Sequence, residues 1–323
     1  MSRALGRADP WARVEAHRAA ELPSKGDFHL MRRLNARTYL ACLVACLSLL
    51  LPGIVTELRG AQASQQGRFE PPRIMDQDFR PMPGTYHYAF RFNGLGIGSA
   101  WVSLEQNDDR YVIQFQARTS SAIDRIYPVR YSGRNVTETA ALSPVGTRII
   151  SRVRSTSKDT SIHFDRDGTI RSVRTESKKN GPLENEVREI QAESYTVDPL
   201  SVIHLLRGID WRPGMEQRVQ MFTGKSRYES RFACTGEKVV EVGGKKRRAW
   251  EIVQESRKLD DQGRETEEEK KERNLLIYLS ADDARDVLMI DARRAMGHFL
   301  VVLEGFKPAG QKARPATESA GRN

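Results

Sequence analysis

The sequence predicts a mainly β protein: a large curved antiparallel sheet, or open β-barrel, holding one short internal helix. Three observations carry this. About a dozen short segments alternate apolar and polar residues with a period of two, at hairpin spacing. Turns bearing glycine, asparagine or aspartate separate them, as in Asn93-Gly94, Asp167-Gly168 and Gly243-Gly244. Only one stretch, about residues 198–207, has helical character, and it is apolar nearly all round, so it is expected to be buried.

The chain opens with a polar segment, residues 1–30, read as an extension upstream of the true start at Met31. From Met31 the order is a basic segment with Arg32, Arg33 and Arg37, an apolar run Thr38–Val55, and Ala61-Gln62-Ala63. A basic head, an apolar middle and an A-x-A end are together a secretory signal, with cleavage expected after Ala63. Two other readings stay open. The apolar run is 18 residues long, the lower edge of a bilayer span, so it also fits an N-terminal anchor. Leu43-Val44-Ala45-Cys46 resembles a lipobox with Cys46 as the acylated residue, although the apolar run continues past the cysteine. Each reading places the rest of the chain in the periplasm or at the envelope.

Composition narrows the class. Of the three cysteines only Cys234 lies beyond the signal, which excludes a disulfide framework. The whole chain carries +10, and residues 64–323 hold 43 Lys/Arg against 37 Asp/Glu. The positive charge is spread over strands and turns. In an envelope compartment it suits anionic headgroups and cell-wall polymers, and nucleic acid is not expected as a partner.

After a proline-rich lead-in, residues 64–83, a single β domain is expected over 84–306. Tyr86, Tyr88, Phe90 and Phe92 alternate with polar or small residues and put an aromatic face on the first strand. Asn93-Gly94 turns it into a return strand from Ile97 to Leu104, where Gly94, Gly96 and Gly98 permit a bulge. Tyr111, Ile113, Phe115 and Ala117 continue the pattern. Further strands are expected at 129–136, 147–155, 160–164, 170–176, 217–222, 227–234, 238–242, 248–255, 275–280, 287–292 and 298–306. The polar segment 178–195 reads as a loop, the charge-dense segment 260–273 as a hairpin loop, and 307–323 as a disordered tail. Asp198-Pro199 supplies a helix N-cap and a proline at the first helical position, and Gly208 ends the helix.

The stretch Asp198-Pro199-Leu200-Ser201 with Leu205-Leu206-Arg207 resembles the secreted bacterial family called domain of unknown function 3108 (DUF3108). Further matching pieces are Tyr88 with Gly94-Leu95-Gly96-Ile97-Gly98, Tyr127-Pro128-Val129, and Leu279 through Arg285 before Gly297. The resemblance spans about residues 84–306. It implies an envelope location and a mainly antiparallel β architecture, and it carries no assigned activity.

The motifs for chemistry are weak. The Gly94–Gly98 run lacks the spacing and the following helix of a phosphate loop. His87, His163, His204 and His298 never approach metal-binding spacing, and Asp282, Asp283 and Asp286 lack the ligand pattern of a calcium loop, so they read as a β-turn with solvated carboxylates. No nucleophile elbow is present. No cofactor, metal or catalytic residue is expected, and the protein reads as non-enzymatic. What remains is aromatic bulk on a concave sheet. Tyr88, Phe90, Phe92, Trp101, Phe115 and Trp250 are the candidate contacts for a lipid or other amphipathic envelope component, with a structural role among envelope proteins, or an enzyme acting on envelope polymers, as the alternatives.

Overall fold

The computed structural model describes residues 78–139, 142–179, 181–192, 194–260, 262–266, 275–294 and 297–310. The expected signal with Ala63, the lipobox Cys46 and residues 311–323 of the expected tail lie outside the described residues, whereas Lys307 and Pro308, expected in that disordered tail, end the last strand and pair with Thr85 and Gly84.

The strands are β1 (Gly84–Phe92), β2 (Leu95–Asn107), β3 (Arg110–Thr119), β4 (Val129–Glu138), β5 (Pro144–Val153), β6 (Thr156–Phe164), β7 (Thr169–Lys178) and β8 (Leu183–Gln191), then β9 (Thr196–Val197), β10 (Glu216–Phe222), β11 (Arg227–Val242), β12 (Lys245–Leu259), β13 (Leu275–Ser280), β14 (Val287–Arg294) and β15 (Gly297–Pro308). They form one sheet in the order β8-β7-β6-β5-β4-β3-β2-β1-β15-β14-β13-β12-β11-β10-β9. Every neighbouring pair is antiparallel except β9 with β10. The four-residue helix α1 (Ser121–Asp124) joins β3 to β4, and α2 (Ser201–Gly208) follows β9.

Connectivity alone requires this sheet to curl. Strands β8 and β9 are the two edges of the sheet, yet they are consecutive in the chain. Fifteen strands about 4.8 Å apart would span roughly 67 Å if laid flat. The link from Gln191 to Thr196 reaches at most about 17 Å. The edges therefore come round to face each other, and side chains close the seam where no ladder does. Phe222 at the end of β10 packs with Ile162, Phe164, Ile170 and Ala192. Ser172 Oγ donates to the Gly224 carbonyl at 2.8 Å, and the Arg188 guanidinium donates to the Lys225 carbonyl.

Helix α2 sits inside this curl, as the apolar periodicity requires. Its capping begins before its formal start. The Asp198 carboxylate accepts from the backbone N–H of Leu200 at 2.9 Å and of Ser201 at 3.2 Å, and the Val202 N–H donates to the Asp198 carbonyl. Val202, Leu205, Leu206 and Ile209 form one stripe. They pack with Trp211, Val219, Tyr228, Phe232, Ile252, Ile277 and Leu279 into the main core against β10–β13. Leu200, Ile203, His204 and Arg207, spaced at three and four residues, form the opposite stripe and face β1–β5.

Several expectations need correction. The segment expected to be a loop at 178–195 contains β8. Its strand character rests on cross-strand charge pairing, which apolar periodicity does not register: Glu189 pairs with Arg171 at 2.8 Å, Glu186 with Arg174 at 3.3 Å and Glu184 with Lys178 at 3.3 Å. The strands expected at 227–234 and 238–242 are one strand, β11, bent by a bulge between Cys234 and Gly236. A second helix, α1, was not expected. Asp286 is not a solvated turn residue; it is buried against Arg207. The core also begins before Gly84, because Phe79 packs with Leu104, Tyr111, Ile113 and Leu142.

Candidate functional site

The sheet and the helix leave a half-enclosed cavity of about 180 Å³ between the outer stripe of α2 and strands β1–β5, bordered also by β14 and β15. Small residues carve it. Across β1–β4 one row of cross-strand neighbours reads Tyr88, Ala100, Ala117, Tyr131. The two adjacent alanines make a trough between two tyrosines. In the next row Phe115 lies opposite Gly133, and a Cβ at position 133 would collide with the Phe115 ring. That glycine lets the ring lie flat on the sheet and line the trough. Leu200 and Ile203 roof it from α2.

The walls are almost wholly apolar, and the polar groups gather near the C-terminal half of α2. Arg207 is buried and satisfied. It pairs with Asp286 at 2.8 Å and donates to the carbonyls of Ala284 and Arg285 at 3.0 Å each, with its guanidinium over the Tyr86 ring at 5.3 Å. Burial pushes the Asp286 carboxyl up, with Arg207 opposing it. Burial likewise raises the Tyr88 hydroxyl, on which Arg207 and Asp286 both act, and lifts Tyr131 to about 12, so both remain neutral phenols. His204 is held neutral: burial, with Arg207 nearby, drops it to about 3.

The N-terminal end of α2 is anchored by a buried polar cluster. The Asn135 amide nitrogen reaches Thr147 Oγ1 at 2.6 Å, Ser201 Oγ at 2.8 Å and Asp198 Oδ2 at 3.0 Å, and Ser201 Oγ also bonds Asp198. All three of Asn135, Asp198 and Ser201 are fully inaccessible. Burial raises the Asp198 carboxyl, against the hydrogen bonds from Ser201 and Leu200. This cluster ties the helix to β4 and β5 and so sets the height of the cavity roof.

Of the six candidate contacts, Tyr88, Phe90 and Phe115 line the cavity. Phe92 is on the same strand face but beyond the cavity end, its ring against Gly297. Trp101 is on the opposite face of the sheet, between the His87 ring at 4.9 Å and the Arg118 guanidinium at 5.6 Å. Trp250 packs against the main core. The lining residues that sequence reasoning missed include Ala100, Ala117, Tyr131, Ile203 and His204. Their signal was the smallness of two alternating residues and the second stripe of an all-apolar helix, neither of which marks a cavity until the register is known.

Residues 86–304 match the family described as a protein of unknown function, DUF3108. The chain belongs to that family. Among curated proteins there is no match to the chain. Solved structures similar to this DUF3108 protein include the following three. A β-barrel-like protein of domain of unknown function DUF1849 from Brucella abortus is 12% identical, with 72% of this chain and 100% of that one covered and a TM-score of 0.46. A protein with a YmcC-like fold from Bacteroides fragilis is 6% identical, with 71% and 98% covered and a TM-score of 0.32. The hypothetical lipoprotein YmcC from Escherichia coli is 10% identical, with 73% and 92% covered and a TM-score of 0.27.

Proposed function

We propose that this DUF3108 protein is an exported, non-enzymatic envelope protein that takes the apolar part of a lipid or other amphipath into the cavity under α2. The single observation that supports this is the trough between Tyr88 and Tyr131, roofed by Leu200 and Ile203, which side chains leave open at about 180 Å³. An apolar cavity of about 150 Å³ accepts a benzene-sized guest. The volume therefore suits a ring or the end of a short chain, and the remainder of a larger amphipath stays outside. The excess of Lys and Arg over Asp and Glu in residues 64–323, 43 against 37, favours an anionic envelope surface as the setting.

The test is native mass spectrometry of the protein purified from its own envelope, followed by organic extraction. The wild type and Trp101→Ala are expected to carry a stoichiometric apolar or amphipathic molecule, and Ala100→Leu is expected to carry less. A bare mass for the wild type, or undiminished loading of Ala100→Leu, would overturn the reading.

A second reading, docking of an envelope protein by strand addition, is favoured by one observation. The outer edge of β8 pairs with no strand among the described residues, and Val187 and Leu183 on it are 72% and 62% exposed. A partner retained by the wild type and released by Val187→Lys, with the cavity unliganded, would favour that reading.

A further inference from the structure

Two phenols in the cavity have hydrogen bonds to give. Tyr88 and Tyr131 stand at the ends of the trough, with Ala100 and Ala117 between them. Both residues are half-buried and line the cavity, and neither hydroxyl has a hydrogen-bond partner among the described residues. Neither oxygen is sealed in, unlike the Tyr111 hydroxyl and His204 Nε2, which are buried without a partner. Burial nonetheless raises both phenols, so the surface they present belongs to the interior of the curl and their protons stay on. The groups beside them are engaged. The Tyr86 hydroxyl donates to the Met82 carbonyl and accepts from Arg207, each at 3.2 Å. Arg207 is met by Asp286 at 2.8 Å and by two backbone carbonyls at 3.0 Å.

These phenols ask for an acceptor. A guest of hydrocarbon alone would cover the two hydroxyls and leave them without the water that now satisfies them, a cost that one accepting oxygen relieves. A carbonyl accepts and brings no donor of its own, so a single bond satisfies both sides. An alcohol accepts as well, but its own O–H then needs an acceptor within walls that are almost wholly apolar. A carboxylate loses its hydration on entry and meets neutral phenols and an Arg207 charge already balanced by Asp286.

We infer that the cavity selects a neutral guest bearing a carbonyl, a ring ketone or the ester of an acyl chain, whose oxygen accepts from the Tyr88 or Tyr131 hydroxyl while its hydrocarbon lies along Ala100, Ala117 and Phe115. This rests on the cavity being a binding site and adds the polar group that the site recognises.

The experiment uses the full chain and two matched sets of probes. Cyclohexanone, cyclohexanol and methylcyclohexane share one ring size and differ in the polar group; methyl pentanoate and pentanoate share one acyl chain and differ in charge. Affinities are measured by ligand-observed NMR titration at neutral pH. Combining Tyr88→Phe with Tyr131→Phe is expected to weaken cyclohexanone and methyl pentanoate about fivefold, the size of one neutral hydrogen bond, and to leave methylcyclohexane unchanged. The two single variants then show which phenol donates, and the tighter of ketone and ester names the source of the carbonyl. In the wild type, cyclohexanone is expected to bind more tightly than cyclohexanol, and methyl pentanoate more tightly than pentanoate. If the double variant binds ketone, ester and hydrocarbon as the wild type does, the phenol assignment fails and the cavity reading stands. Absence of binding by every probe to the wild type defeats both. Tighter binding of cyclohexanol than of cyclohexanone, or of pentanoate than of its ester, overturns the carbonyl claim by itself, so the wild type decides even where the double variant does not fold.

Discussion

Replacing Ala100→Leu distinguishes an open trough from a packed core by the sign of its effect. Ala100 is buried, faces the cavity, and has Tyr88 and Ala117 as its cross-strand neighbours. Leucine adds three carbon atoms. Burying them in existing space contributes about 0.8 kcal/mol each, or about 2.4 kcal/mol. Immobilising the leucine costs about 0.5–1 kcal/mol, leaving a gain of about 1.5 kcal/mol. In a domain of this size that raises the melting temperature by roughly 3–6 °C. The same substitution in a filled core overpacks it and costs about 1–3 kcal/mol. Urea denaturation with a constant m-value, checked by thermal melting, reads the sign directly. A loss of stability in Ala100→Leu would refute the trough. A gain in stability together with reduced guest loading is the outcome expected here.

Three further substitutions probe the elements that hold the cavity. Asp198→Asn keeps the helix cap but removes the buried carboxyl. Because burial raises the folded-state pKa of Asp198, its contribution to stability is fully present below the ordinary carboxylate range and is lost as pH rises through the raised value. The wild type is therefore expected to lose stability over that window relative to Asp198→Asn, as read from urea midpoints across pH 4–8; parallel profiles would refute the assignment. Asp286→Asn leaves the buried Arg207 guanidinium without its counterion and is expected to cost about 3 kcal/mol, moderated by the two carbonyl acceptors; a cost under about 1 kcal/mol would mean the pair is solvated. Gly133→Ala places a methyl group against the Phe115 ring and 2.8 Å from the Arg148 carbonyl, so a loss of about 1–3 kcal/mol is expected, part of it restored by adding Phe115→Leu.

How far the sequence reaches is clearest at the first hairpin. Strand alternation and the Asn93-Gly94 turn were legible, and a plain two-residue turn would set Trp101 opposite Tyr86 on the aromatic face. The actual ladder pairs Phe90 with Gly98 and Arg91 with Gly96, so Ile97 is an extra residue and the parity of β2 is inverted. Trp101 moves to the outer face, and Ala100 and Val102 take the inner one. Bulk in sequence marked Trp101 as a contact, whereas the bulge, permitted by the neighbouring glycines but not dictated by them, decides otherwise. Helix α2 was legible almost to its ends, because Asp198 and Pro199 act locally and its apolar stripes need no knowledge of partners. The Arg207–Asp286 pair was not, since it joins residues 79 positions apart through tertiary packing alone. Strand β8 was hidden for the same reason: its ladder to β7 is held by charges whose partners lie on another strand.

Xenon-pressurised crystal diffraction tests the central claim most directly, because xenon enters apolar cavities of this size and scatters strongly. A xenon atom is expected among Tyr88, Ala100, Ala117, Leu200 and Ile203 in the wild type, and is expected to be absent from Ala100→Leu. Side chains closing the trough in the wild-type crystal, with no xenon between α2 and β1–β5, would contradict the cavity and with it the binding role.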